Sequence, residues 1–169
     1  MYFPALLYTC ILSMLLLIDG IPIHLDVLKS LVKWQADIII QRIEKHNEKL
    51  NLPPHLFFED LYPEVPANKP IQGVGSIMDT LTTFQRILQK LPEGHVSPLH
   101  RDVSTLLGYL KRRMTTMHCT SKELANWMSL DAFLKENATH HITVGYITLD
   151  RLKQFMQKLI GNIDQLKSC

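Results

Sequence analysis

Four apolar-striped stretches, joined by a long, a short and a long connection, constrain this chain more than any other feature it carries. The stretches cover residues 26–50, 76–91, 98–118 and 149–169. A link of about six residues forces neighbouring helices to run antiparallel. A segment of about twenty-five residues can instead travel the ~30 Å needed to start the next helix from the same end. The economical solution is an all-α, up-up-down-down four-helix bundle with two long crossovers.

Each stretch carries a stripe at helical spacing. In the first, Leu28, Val32, Ala36, Ile39, Ile40 and Ile43 form the inner face, with Leu31 at the flank and Asp26 as the expected cap. At ~37 Å it is longer than the average globular helix. Ser76 and Asp79 make a capping pair before the second stripe of Ile77, Leu81, Phe84, Ile87, Leu88 and Leu91, which Pro92 and Gly94 stop. Ser97 and Pro98 read as N-cap and N1 of the third helix. Its stripe is Leu99, Val103, Leu106, Leu110, Met114 and Met117, with Gly108 on the opposite side. Thr148 reads as the cap of the fourth helix, whose stripe runs from Leu149 through Leu152, Phe155, Met156, Leu159, Ile160 and Ile163 to Leu166. Cys169 is the last residue.

The first crossover, 51–75, holds Pro53, Pro54, Pro63, Pro66 and Pro70, together with Gly73 and Gly75, so it reads as a loop. Leu56, Phe57, Phe58 and Leu61 within it are expected to pack onto the bundle side. The second, 120–141, contains a capping box of Thr120 and Glu123, followed by Leu124, Trp127, Met128, Leu130, Phe133 and Leu134. A small extra helix is expected there.

Residues 3–18 carry no charge, and Asp19 and Gly20 end the run. This reads as a secretory signal peptide over 1–20, cleaved to leave a single domain over 21–169; an uncleaved signal anchor is the alternative. Cleavage removes one carboxylate and no Lys or Arg, taking the net charge from +2 to +3. It also removes Cys10, leaving Cys119 and Cys169. Two cysteines in a secreted chain allow one intramolecular bridge, which would close a loop of about fifty residues and stabilise by ~4 kcal/mol. Free thiols or an intermolecular bridge are the alternatives. Asn137–Ala138–Thr139 is an N-glycosylation sequon.

The sequence has no His-Glu-x-x-His, no Cys-x-x-Cys and no Gly-x-Ser-x-Gly, so no enzyme activity, cofactor or metal is expected. His140 and His141 read as solvated surface, and Gly73–Val74–Gly75–Ser76 lacks the strand and the Lys-Ser/Thr of a phosphate loop. Lys111, Arg112 and Arg113 make too short a basic run for a nucleic-acid face. The informative residues are those the stripes leave out. Trp34 points away from Val32 and Ala36, among Lys33, Asp37 and Gln41. On the third helix the outer face carries Arg101, Ser104, Thr105, Gly108 and Arg112, with Tyr109 at the edge. Exposed aromatic and arginine side chains are what interface hot spots are made of. The competing reading is that Trp34 covers the crossover near Phe57 and Phe58.

Several segments together resemble the leptin family, in a divergent form such as those of bony fish. They are Ile21–Pro22–Ile23, Arg42–Ile43, the run Gly75–Ser76–Ile77–Met78–Asp79–Thr80–Leu81 continuing to Gln89–Lys90–Leu91–Pro92, and the final stretch ending on Cys169. Growth hormones and prolactins share the topology but place their cysteines differently. The resemblance implies a secreted, free-state monomeric hormone. It would cluster a single-span class I cytokine receptor, the leptin receptor, and trigger Janus kinases in energy balance and appetite control. It implies a Cys119–Cys169 disulfide. It also implies a receptor surface on the first and third helices, here Trp34, Asp37, Gln41, Arg101, Thr105 and Arg112. A second surface at the entrance of the fourth helix aligns to Ile142, Thr143 and Val144, with Asn137 as a glycan site close by. Another long-chain helical cytokine, or a secreted bundle carrying a small apolar ligand, is the alternative.

Overall fold

The computed structural model describes residues 23–51, 70–92, 96–120 and 127–169. The leader over 1–20, the crossover residues Leu56, Phe57, Phe58 and Leu61, and the capping-box partner Glu123 with Leu124 lie outside the described residues.

The long stripes become four long helices: α1 (Leu25–Leu50), α2 (Gly73–Lys90), α3 (Ser97–Thr116) and α5 (His141–Gly161). A short α4 (Trp127–Glu136) and a 3-10 turn (Ala138–His140) stand in the second crossover, and a second 3-10 segment (Ile163–Lys167) follows α5. α1 packs chiefly against α5 and α3, and α2 against α3 and α5. Those pairs are the antiparallel neighbours of an up-up-down-down bundle, with α1/α2 and α3/α5 as its parallel diagonals. The expected fold is the observed one.

The core is the set of inner stripes. Val32, Ala36, Ile39 and Ile43 of α1, Ile77, Leu81, Phe84 and Ile87 of α2, Val103, Leu106 and Leu110 of α3, and Leu149, Leu152, Met156 and Leu159 of α5 are all fully buried. Phe84 and Phe155 meet across α2 and α5 with ring centroids 6.1 Å apart. Buried threonines satisfy themselves locally. Thr80, Thr83 and Thr148 each donate to the carbonyl four residues back, at 3.0, 3.1 and 2.7 Å.

The helix ends differ from expectation, each for a physical reason. His24, not Asp26, precedes α1, and its Nδ1 accepts the Asp26 N–H at 3.4 Å. Asp26 instead occupies the first turn, where a carboxylate suits the helix dipole. Val96 is the residue before α3, so Ser97 and Pro98 are its first two residues. α5 starts at His141 rather than after Thr148, because Val144, Gly145 and Thr148 are buried along its inner face. That packing outweighs the poor helix propensity of the β-branched run. In α4 Leu130 is buried, whereas Met128 is 82% exposed and not part of the inner face.

α2 begins three residues before Ser76, on Gly73, and the chain's own end caps it. The Gly73 N–H donates to Gln165 Oε1 at 3.1 Å, Val74 N–H to the Ser168 carbonyl at 2.9 Å and Gly75 N–H to the Cys169 carbonyl at 3.0 Å. Three of the orphan donors of a helix N-terminus are thereby satisfied. Ser76 still contributes, accepting from Gln72 N–H at 2.7 Å and donating to the Gly73 carbonyl at 3.0 Å. The glycine-rich stretch that looked superficially like a phosphate loop thus receives carbonyls of the same chain.

The chain end is held there by three further contacts. Lys29 Nζ reaches Asp164 Oδ1 at 2.7 Å, Arg113 Nε donates to the Leu166 carbonyl at 3.0 Å, and Cys119 and Cys169 form a disulfide with Cα atoms 5.5 Å apart. α3 ends in a Schellman turn, with His118 in the left-handed region at φ 54° and Cys119 N–H donating to the Met114 carbonyl at 3.0 Å. That turn aims Cys119 at its partner. The α-helix cannot continue to Cys169, because the chain must swing across the bundle end to reach both Cys119 and α2.

Candidate functional site

Two surfaces come out of these helices. The first lies where α1 and α3 run side by side. α1 carries a second apolar series, Val27, Leu31, Trp34 and Ile38, at spacings of four, three and four along its outer side. Val27 is 54% and Trp34 60% exposed, while Leu31 and Ile38 are half-buried. Asp37 and Gln41 are exposed next to it. From α3, Arg101, Thr105, Gly108 and Arg112 are exposed and Tyr109 is half-buried. A Cβ at Gly108 would meet nothing within 4 Å, so that part of the face is open. The residues expected from sequence are thus exposed on two helices that pack against each other.

Beneath this face sits a polar cluster that the sequence did not announce. Asp102 of α3 is 8% and Gln35 of α1 4% exposed, both where a bundle normally places apolar side chains. Arg42 Nη1 stands 3.1 Å from Asp102 Oδ2, a Coulombic contact rather than an aligned hydrogen bond. The polar side chain of Gln35 and the charge of Arg101 also act on this carboxylate. Burial pushes the Asp102 carboxyl above the usual carboxylate value, against the pull of Arg42, Gln35 and Arg101. The available signal was a polar residue, Gln35, one position before a core alanine, and an acid, Asp102, one position before a core valine.

The second surface is at the start of α5. Ile142 is 55% exposed, Thr143 half-buried and Val144 3% exposed. Val144 is therefore a core residue, turned inward by the helix that begins earlier than expected, and Ile142 with Thr143 is what this set presents. Ile142 borders a shallow apolar cavity of about 50 Å³ lined also by Leu50, Leu91, Val96 and Tyr146, where the ends of α1 and α2 meet the starts of α3 and α5. His140 and His141 are exposed here. Asn137 lies in the turn after α4, half-buried, with its side-chain N–H donating to the Phe133 carbonyl at 2.9 Å. α4 itself is clasped to α2 by Arg86, which meets both carboxylate oxygens of Asp131, the Nε–Oδ1 contact being 3.0 Å.

From Trp34 to Leu50, which borders the Ile142 cavity, is sixteen residues of α1, or ~24 Å. The two surfaces are separate. Among the described residues no three His, Cys, Asp or Glu side chains gather as a metal site, and no helix is long and apolar enough to cross a membrane. What this geometry offers is two separate exposed patches.

The chain is similar to leptin of Takifugu rubripes, with 26% identity over 160 residues, spanning 94% of this chain and 91% of that one. The Leptin family model matches residues 24–169, the whole bundle from the cap of α1 to the final cysteine. The chain belongs to the leptin family.

Proposed function

We propose that this hormone is secreted after loss of residues 1–20 and acts outside the cell. It binds and clusters the ectodomain of a single-span class I cytokine receptor of the leptin-receptor type, activating receptor-bound Janus kinases in the control of energy balance and appetite. Family membership makes the chain a leptin-like helical cytokine hormone and not an enzyme. The observation that supports the receptor reading most is Trp34, 60% exposed on the face shared by α1 and α3. An indole left that open forgoes ~3 kcal/mol of burial that a partner's surface would supply. Asp37, Gln41, Arg101, Thr105 and Arg112 surround this anchor as the polar rim of the interface.

Ile142 and Thr143 form the second contact, ~24 Å away along α1, so one rigid monomer engages two receptor chains. Signalling then requires both patches at once. A glycan on Asn137 would stand at the edge of the second patch.

The test is activation of cells bearing a leptin receptor by the purified, oxidised protein, with cells bearing a growth-hormone-type receptor as control. Selective activation is the expected result. Silence on leptin-receptor cells, from a correctly bridged helical protein, would refute the reading.

A further inference from the structure

We propose that Asp102 is a positioning residue for receptor recognition: from beneath the α1–α3 face its carboxylate holds the half-exposed Arg42 guanidinium by charge, and Arg42 takes a carboxylate on the receptor. This rests on the reading of that face as the receptor surface.

Three observations carry it. The first is placement. Asp102 has only 12% of its side chain exposed, whereas the Arg42 side chain, 3.1 Å away, is 49% exposed. The acid is inside and the base reaches out. About half of the Arg42 side chain thus stays open to a carboxylate on a partner. The second is energetic. The Asp102 carboxylate is desolvated enough that burial outweighs the help of Arg42 and Gln35, and its carboxyl is pushed up, not down. Burial thus sets a cost on the ionised form that the neighbouring groups offset only in part. The third is charge. Arg101 acts on the same buried carboxylate as Arg42, so one buried negative charge is set against two arginines. The face is net positive around Arg42, which selects an acidic partner surface. Fixing a long flexible side chain before contact also removes its ordering cost at the moment of binding.

The experiment measures affinity of the full oxidised protein for the receptor ectodomain, alongside its melting temperature, for Asp102→Asn, Arg42→Ala, the double variant and Trp34→Ala. Asp102→Asn is expected to bind about tenfold more weakly while melting at the same or a higher temperature. Arg42→Ala is expected to lose as much, and the double variant no more than either single one. Raising the salt concentration should weaken the wild-type complex more than the Arg42→Ala complex. If Trp34→Ala binds weakly but Asp102→Asn binds like the wild type, the positioning role is overturned and the face stands. If Trp34→Ala itself binds like the wild type, the face is wrong and the proposal falls with it. Asp102→Asn losing affinity only in step with a lower melting temperature would make Asp102 a structural residue and overturn the proposal as well.

Discussion

Replacing Gly73 with alanine tests how the bundle is closed. Gly73 has φ +75°, a conformation L side chains rarely adopt. A Cβ there would lie 2.3 Å from the Cys169 carbonyl carbon, 2.5 Å from its oxygen and 3.0 Å from the Ser168 oxygen. Those are backbone atoms tethered by a disulfide, so the clash is not relieved by turning a side chain. The left-handed backbone costs ~1 kcal/mol for alanine. Displacing the chain end loses up to three hydrogen bonds to the first N–H groups of α2, at ~1 kcal/mol each. The sum is about 3–4 kcal/mol, or a fall of roughly 10 °C in melting temperature for a domain of this size. Two other glycines serve as internal controls. At Gly75 the Cβ would lie 3.1 Å from the Cys169 oxygen alone, so Gly75→Ala is expected to cost less, ~1 kcal/mol. At Gly108 it meets nothing, so Gly108→Ala is expected to stabilise α3 by up to ~1 kcal/mol. Urea and thermal unfolding of the three oxidised variants read the series directly. A Gly73→Ala protein as stable as the wild type would show that the chain end does not cap α2.

Further outcomes follow from the same geometry. Cys169→Ser removes the bridge that closes fifty residues of sequence and should cost ~4 kcal/mol in chemical unfolding; an unchanged transition would mean the bridge contributes nothing. His118→Gly relieves the left-handed residue of the α3 Schellman turn and should stabilise by up to ~1 kcal/mol, with a lower melting temperature as the contrary result. The hydrogen bond from Arg86 holds the Asp131 carboxyl, and that from Lys29 the Asp164 carboxyl, below the ordinary value of 3.8. A depressed folded value means the stabilisation is complete above pH 3.8 and lost as the pH falls through the lowered values. Acid unfolding of a protein carrying Asp131→Asn and Asp164→Asn should therefore depend less on pH below that point; an identical acid limb would contradict the pairing. Ile142→Ala with Thr143→Ala should leave ectodomain binding through the α1–α3 face intact and abolish signalling, whereas parallel loss of both would count against two independent patches.

The helices of this chain were legible because one periodicity dominates each of them. Every member of the second stripe, from Ile77 to Leu91, is buried, and the short link between 91 and 97 sufficed to pair α2 with α3. What escaped was tertiary in origin. The cap of α2 comes from Gln165, Ser168 and Cys169, some ninety positions downstream, so local reading settled on Ser76 instead. Thr148 has the residue type of a cap, yet its hydroxyl is spent on the Val144 carbonyl inside a helix that burial extends backwards. The same extension turned Val144 from an expected contact into core. Trp34 and the exposed arginines could be placed outward from periodicity alone. Asp102 and Gln35 could not, because a polar residue at the border of a stripe gives no sign of whether it faces water or a neighbouring helix.

The most direct test of the account is the affinity of Trp34→Ala for the receptor ectodomain, with its melting temperature measured on the same sample. Trp34 is 60% exposed, so the substitution leaves the bundle's core packing untouched and the melting temperature should stay within about 2 °C of the wild type. A loss of affinity of about thirtyfold or more is expected, the mark of an aromatic hot spot. Wild-type affinity from a folded Trp34→Ala protein would contradict it.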